Sequence, residues 1–172
     1  MFAVGDKVVH PNYGPGVIVA IERRQVLQEE KRYYVINMLT GGGTLRTPVR
    51  QADNVGLRLA VSGSSIQQIL ESLSAAPCVL PGDFRERQAV IQERLKEGDV
   101  FAAADVLRDL AWHDKVHGLT KRDAQLKQRA EDLLAAELAL VRGIEVKAAL
   151  EEVQRTVADA VRAHAQAGGK QV

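Results

Sequence analysis

The chain has 172 residues, 46% hydrophobic but only 4% aromatic, with 23 basic against 22 acidic side chains and a net charge of +1. That composition describes one or two small globular domains. It excludes a structural zinc site built on thiolates and an internal disulfide, since Cys78 is the one cysteine. It also makes the chain a poor candidate for a stand-alone nucleic-acid binder, since proteins that hold nucleic acid by phosphate neutralisation alone usually carry a marked basic excess, so any DNA contact is expected to be local. No apolar run reaches the roughly 18–20 residues of a membrane span, and the opening lacks the basic-then-apolar pattern of a leader, so a cytoplasmic protein is expected.

Residues 1–58 carry eight Lys or Arg against five Asp or Glu, placing the positive excess at the N-terminal end. Within them, short β-branched and aromatic runs at 7–10, 17–21, 32–38 and 44–48 alternate with turn signals: Pro11-Asn12-Tyr13-Gly14-Pro15-Gly16, a polar reversal around Gln28-Glu29-Glu30, and Gly41-Gly42-Gly43. Four or five short antiparallel strands in about 58 residues predict a small Tudor- or SH3-like barrel.

All five prolines lie at or before Pro81, and the remainder reads as helix. Ile66, Ile69, Leu70 and Leu73 stripe a short helix over 64–73, and Asp83 caps a second that runs to Leu95. The third, from Val100 to about His117, buries Ala103, Val106, Leu107, Leu110 and Ala111 and stops at Gly118. Thr120 with Asp123 forms a capping-box variant opening a fourth helix to about Val141, with Leu126, Ala130, Leu133, Leu134, Leu138 and Val141 inward. Beyond Gly143, a near-heptad stripe of Val146, Leu150, Val153, Val157 and Val161 needs a partner surface, either the bundle or a second copy. The end, 165–172, is expected to fray. The fold class is therefore α+β: a barrel over 1–58, an all-α bundle over 59–142, and an additional helix with a frayed tail over 143–172.

No nucleotide-binding loop and no nucleophile elbow is present in the sequence, and no catalytic residue or cofactor is expected. Gly41–Gly43 sits between strands, without the helix N-terminus that would make it a phosphate loop. His113 and His117 stand four apart on one helix face, the spacing of zinc ligands. A metal-dependent enzyme using them is the alternative from another class; two partly exposed histidines at a helix C-terminus are the simpler reading, and no metal ligand is assigned. Trp112 suits bundle packing, with a binding anchor as the other reading, and Cys78 has no basic or histidine neighbour in sequence to activate it. At Leu80-Pro81-Gly82-Asp83-Phe84-Arg85-Glu86-Arg87 an aromatic stands at a helix start beside two arginines. Such a group either wedges into a DNA minor groove, with arginines on phosphates, or packs as a hydrophobic staple while the arginines pair with Asp83 and Glu86.

The run Val4-Gly5-Asp6-Lys7-Val8-Val9-His10-Pro11-Asn12-Tyr13-Gly14-Pro15-Gly16-Val17, with Ile21-Glu22-Arg23-Arg24 and Tyr33-Tyr34-Val35, resembles the RNA-polymerase-interacting domain shared by the CarD/CdnL family and transcription-repair coupling factors. Gly98-Asp99-Val100, Ala104–Leu110, Gly118-Leu119-Thr120 and Ala130–Leu140 resemble the helical domain of the CarD type alone. The resemblance covers about residues 2–142. It implies a bacterial transcription regulator that binds the polymerase β subunit through Arg24, Val26, Arg46 and Pro48. It further implies contact with promoter DNA at the upstream edge of the bubble, in the minor groove and without sequence specificity, stabilising the open complex. Phe84 stands where the family carries a tryptophan wedge; Arg87 is retained, Arg85 adjoins it, and Glu86 and Ala89 replace side chains that are often basic. Lys121 and Arg122 offer further phosphate contacts. A monomer is expected, and an adaptor that binds polymerase without DNA is the alternative.

Overall fold

In a computed structural model, which describes residues 1–96 and 98–168, the chain forms five strands followed by five helices. The strands are β1 (Lys7–His10), β2 (Gly14–Val26), β3 (Glu29–Met38), β4 (Thr44–Pro48) and β5 (Arg58–Leu59), with a 3-10 turn at Val49–Gln51. The helices are α1 (Gly63–Ser74), α2 (Phe84–Leu95), α3 (Val100–His117), α4 (Lys121–Arg142) and α5 (Val146–Gly168). All strand pairs are antiparallel in the order β4-β3-β2-β1-β5.

One sheet face closes on Val8, Ile18, Tyr34, Ile36, Ala52 and Leu57, with Phe2, Met38, Leu45 and Val49 packed against them. The phenol of Tyr34, a buried polar group that must be satisfied, accepts the Phe2 backbone N–H at 3.0 Å. Gly16 has no room for a side chain: a Cβ there would lie 2.6 Å from the Asn37 carbonyl oxygen and 2.8 Å from Ile36 Cγ2. β2 and β3 are longer than the alternating pattern predicts. Residues 23–32 pair only across their own hairpin, Arg23 with Arg32 through Val26 with Glu29, and so form a two-stranded ribbon reaching past β1 and β4. The reversal is at Leu27 and Gln28, with Glu29 and Glu30 inside β3 rather than in the turn.

The helices bury a second, larger cluster that includes Ile69, Leu73, Ile91, Leu95, Leu107, Leu110, Leu134 and Leu138. Ala149, Val153 and Val157 of α5 belong to the same cluster, with Val146, Leu150 and Val161 partly buried against it. Of the two partner surfaces open to that stripe, the bundle is the one it covers. Residues 165–168 continue α5 instead of fraying, while 169–172 lie outside the described residues. Within the bundle, the buried Asp109 carboxylate accepts from Arg108 Nε (3.0 Å), Arg94 Nη1 (3.4 Å) and the Cys78 N–H (2.9 Å), tying the Pro-flanked loop to α3.

Sheet and bundle are locked by one buried carboxylate. Glu137, 2% exposed on α4, accepts both Nη atoms of Arg58 at 2.8 Å and the Val61 N–H at 2.8 Å. Arg58 also donates to the Gly98 carbonyl at 2.9 Å, and Lys7 Nζ donates to the Val141 carbonyl at 3.0 Å. A fork-on-carboxylate pair is directional, so this contact fixes orientation as well as distance.

Candidate functional site

The side-chain period of two and the strand register decide which residues of the ribbon face together. Ala20 pairs with Val35 and Val35 with Arg46; Glu22 pairs with Tyr33 and Tyr33 with Pro48; Arg24 pairs with Lys31. Arg24, Val26, Arg46 and Pro48, drawn from two non-adjacent strands, therefore share one face, opposite the one that bears Tyr34 and Ile36. Glu22 organises it: Arg24 Nε and Arg46 Nε both donate to Glu22 Oε2 at 3.2 Å. The hydrogen bond from Arg46, aided by the charges of both arginines, holds the Glu22 carboxyl below its ordinary value. The guanidinium side chains stay 51% and 41% exposed, so their outer edges are free for a partner. Beyond the short pairing with β1, the outer edge of β2 from Val19 onward has no strand neighbour among the described residues. Beside Pro48 a cavity of about 430 Å³ opens between residues 29–33 and 48–51.

The second surface lies at the start of α2. Asp83 caps the helix, accepting from the N–H groups of Arg85 (2.9 Å) and Glu86 (3.0 Å). Phe84, the first helical residue, is 48% exposed, with the Arg85 guanidinium 5.5 Å from its ring centroid. Phe84 is therefore no core staple. Arg87 differs from the expectation of a phosphate contact. It is 4% exposed, with Nη2 on Asp123 Oδ2 at 2.8 Å and Nη1 on the carbonyls of Pro81 (2.9 Å) and Gly82 (3.1 Å). Its Nε is buried without a partner among the described residues. The helical period explains the difference: Arg87 is one turn from Asp83 and faces the bundle, and Ile91 and Leu95 continue its buried row.

Asp123 joins this surface to α4. Its carboxylate accepts the Thr120 N–H (3.1 Å) and hydroxyl (2.8 Å), while Thr120 Oγ1 accepts the Asp123 N–H (3.1 Å), completing the capping box. Gln88 Nε2 bridges to Asp123 Oδ1 (3.2 Å) and Thr120 Oγ1 (3.1 Å). Burial pushes the Asp123 carboxyl up, but the bonds from Arg87, Thr120 and Gln88 prevail and lower it from 3.8 to about 2. Lys121 and Arg122, the first exposed residues of α4, thus stand on the same brace that holds Phe84 and Arg85.

His113 and His117 approach with ring centroids 4.9 Å apart. His113 is 9% exposed rather than at the surface, and burial, followed by the charges of Arg87 and His117, lowers its pKa. Among the described residues no group of three or more His, Cys, Asp or Glu is placed to hold a metal ion, and no helix is long and apolar enough to cross a membrane. Cys78 is exposed, and Trp112 packs edge-on against His164 of α5, centroids 4.7 Å apart. Arg58 and Glu137 carried no signal as a pair, lying 79 residues apart. The available hint was Glu137 itself, the lone charge within Leu133–Val141.

The molecule is thus a Tudor-like sheet with a cationic ribbon, locked to a helical bundle that exposes Phe84 and Arg85 at the start of α2. A family model described as the CarD-like/TRCF RID domain matches residues 2–60, and one for the CarD C-terminal domain matches residues 68–154. The chain belongs to the CarD family, a family of transcription regulators with an RNA-polymerase-interacting domain. It is 27% identical over 147 residues, 86% of this chain and 96% of the relative, to the "Putative transcription factor YdeB" of Bacillus subtilis (strain 168). It is similar at 27% identity, with a TM-score of 0.30 over 34% of this chain and 79% of the other, to a solution NMR structure of the 72-residue N-terminal domain of Myxococcus xanthus CarD.

Proposed function

We propose that the protein is a cytoplasmic, monomeric transcription regulator that contacts the β subunit of RNA polymerase with the ribbon face bearing Arg24, Val26, Arg46 and Pro48. In this reading Phe84, Arg85, Lys121 and Arg122 meet the minor groove at the upstream edge of the promoter bubble and stabilise the open complex, while Arg87 holds Phe84 in place. The two functional units are the sheet through about residue 60 and the bundle including α5. The observation that carries the reading is the sharing of one sheet face by the four positions that the resemblance names, combined with family membership. Tethering by polymerase supplies a high effective concentration at the DNA, so a chain of net charge +1 suffices. Stabilisation follows from differential contact: the regulator lowers the free energy of the open state by what it touches there and not in the closed state.

The test is the lifetime of promoter open complexes. Wild type lengthens it, and Phe84→Ala and Arg24→Glu each shorten it toward the value without regulator; the assignment fails if neither does. A second reading, an adaptor that binds polymerase but not DNA, draws support from the burial of Arg87, which leaves fewer cations around Phe84. Fluorescence anisotropy of a forked promoter fragment at low salt separates the two, since the adaptor produces no change even with polymerase present.

A further inference from the structure

The tip of the ribbon is built against local preference. Val26 and Glu29 pair directly, so Leu27 and Gln28 alone make the reversal, with φ of 50° and 68°. Two central residues with positive φ define a type I′ turn, whose natural occupants are Asn-Gly, Asp-Gly or Gly-Gly. Leucine and glutamine clash there with their own backbone, and strain of this kind persists where the site serves something other than folding. Leu27 is also 93% exposed, projecting from a ribbon that has no third strand among the described residues. Pairing in the sheet does not need it, and no packing holds it.

We infer that Leu27 is an apolar anchor that the ribbon presents to an apolar cleft on the polymerase, one bordered by carboxylates. The border follows from charge. Residues 23–32 hold Arg23, Arg24, Lys31 and Arg32 against Glu29 and Glu30, and Arg24 and Arg46 together outweigh the Glu22 they share. A buried aliphatic side chain ringed by polar contacts is the usual make-up of a binding hot spot. The inference rests on the polymerase-binding reading and adds to it a specific contact and the chemistry of its receptor.

The experiment compares full-length wild type, Arg24→Glu, Leu27→Met and the double variant Leu27→Asn with Gln28→Gly. Each is assayed for thermal unfolding and for affinity toward purified polymerase β subunit. The double variant installs the preferred turn, so its Tm rises or holds while its affinity falls roughly tenfold or more, the scale expected for a leucine left unburied. Leu27→Met keeps the apolar reach and binds within about threefold of wild type. Stability and binding moving in opposite directions is a result that a purely structural role for Leu27 cannot give. If the double variant binds like wild type while Arg24→Glu loses affinity, the anchor is wrong and the polymerase surface stands. If its Tm falls, the strain argument is wrong. If wild type itself does not bind the β subunit, the underlying reading fails and the anchor with it.

Discussion

The buried Arg87–Asp123 pair shows how one contact can serve two helix starts. Asp123 accepts the Thr120 N–H at the head of α4, and Arg87 satisfies the carbonyls of the Pro81-Gly82 turn that leads into α2. A carboxyl held near 2 stabilises the folded state at any pH above its unfolded value near 4, and that contribution, of order 2 kcal/mol, fades as pH falls from about 4 to about 2. His113 beside it runs the same way: a base whose folded pKa is lowered binds fewer protons than in the unfolded chain, so its contribution is lost on descending from about 6.5. Asp123→Asn leaves the Arg87 charge buried without its counter-ion and is expected to cost about 3–5 kcal/mol at neutral pH. Denaturant midpoints measured down to pH 2 should show the deficit shrinking through the acid range, because the wild type loses there what the variant never had.

At the scale of elements, the sequence was legible wherever a segment has one wet and one dry face. Asp83, Thr120 with Asp123, and Gly118 mark helix ends that the structure reproduces, and the stripes of α3 and α4 point inward as their spacing predicts. The ribbon was not legible, because residues 23–32 are exposed on both sides and carry no alternation to read; backbone pairing alone makes them strands. Leu27 reads as a strand residue by type, so the turn was expected near Gln28-Glu29-Glu30. Arg87 was misplaced for a related reason: residue type suggests a surface cation, and only the helical phase set by Ile91 and Leu95 reveals a buried one. For α5, the stripe was plain but its partner was not. Because Val153 and Val157 are 1% and 6% exposed within the bundle core, replacing both by alanine is expected to cost about 3–5 kcal/mol. Native-state hydrogen exchange should place the loss in the helices and leave β1–β4 protected; equal loss in the strands would show instead that the two cores unfold together.

For the whole molecule, the quantity on which the proposed function depends is the spacing between the ribbon and Phe84, across the Arg58–Glu137 clasp. Binding two partners at once gains from effective concentration only when the geometry permits both contacts. Glu137→Gln keeps size and shape but removes the counter-charge, and with Arg58 one-third exposed the expected cost is about 2–3 kcal/mol. Its signature would be positional: a broader range of sheet-to-bundle orientations in residual dipolar couplings, unchanged affinity for isolated β subunit, and a shorter open-complex lifetime. Unchanged couplings together with an unchanged lifetime would count against the clasp as the spacer. The contact between Trp112 and His164 carries a different consequence. As the chain's one tryptophan, half-buried against the last turns of α5, Trp112 is an intrinsic fluorophore with an imidazole at its edge. The docking of α5 on the bundle can thus be followed optically in the unlabelled protein.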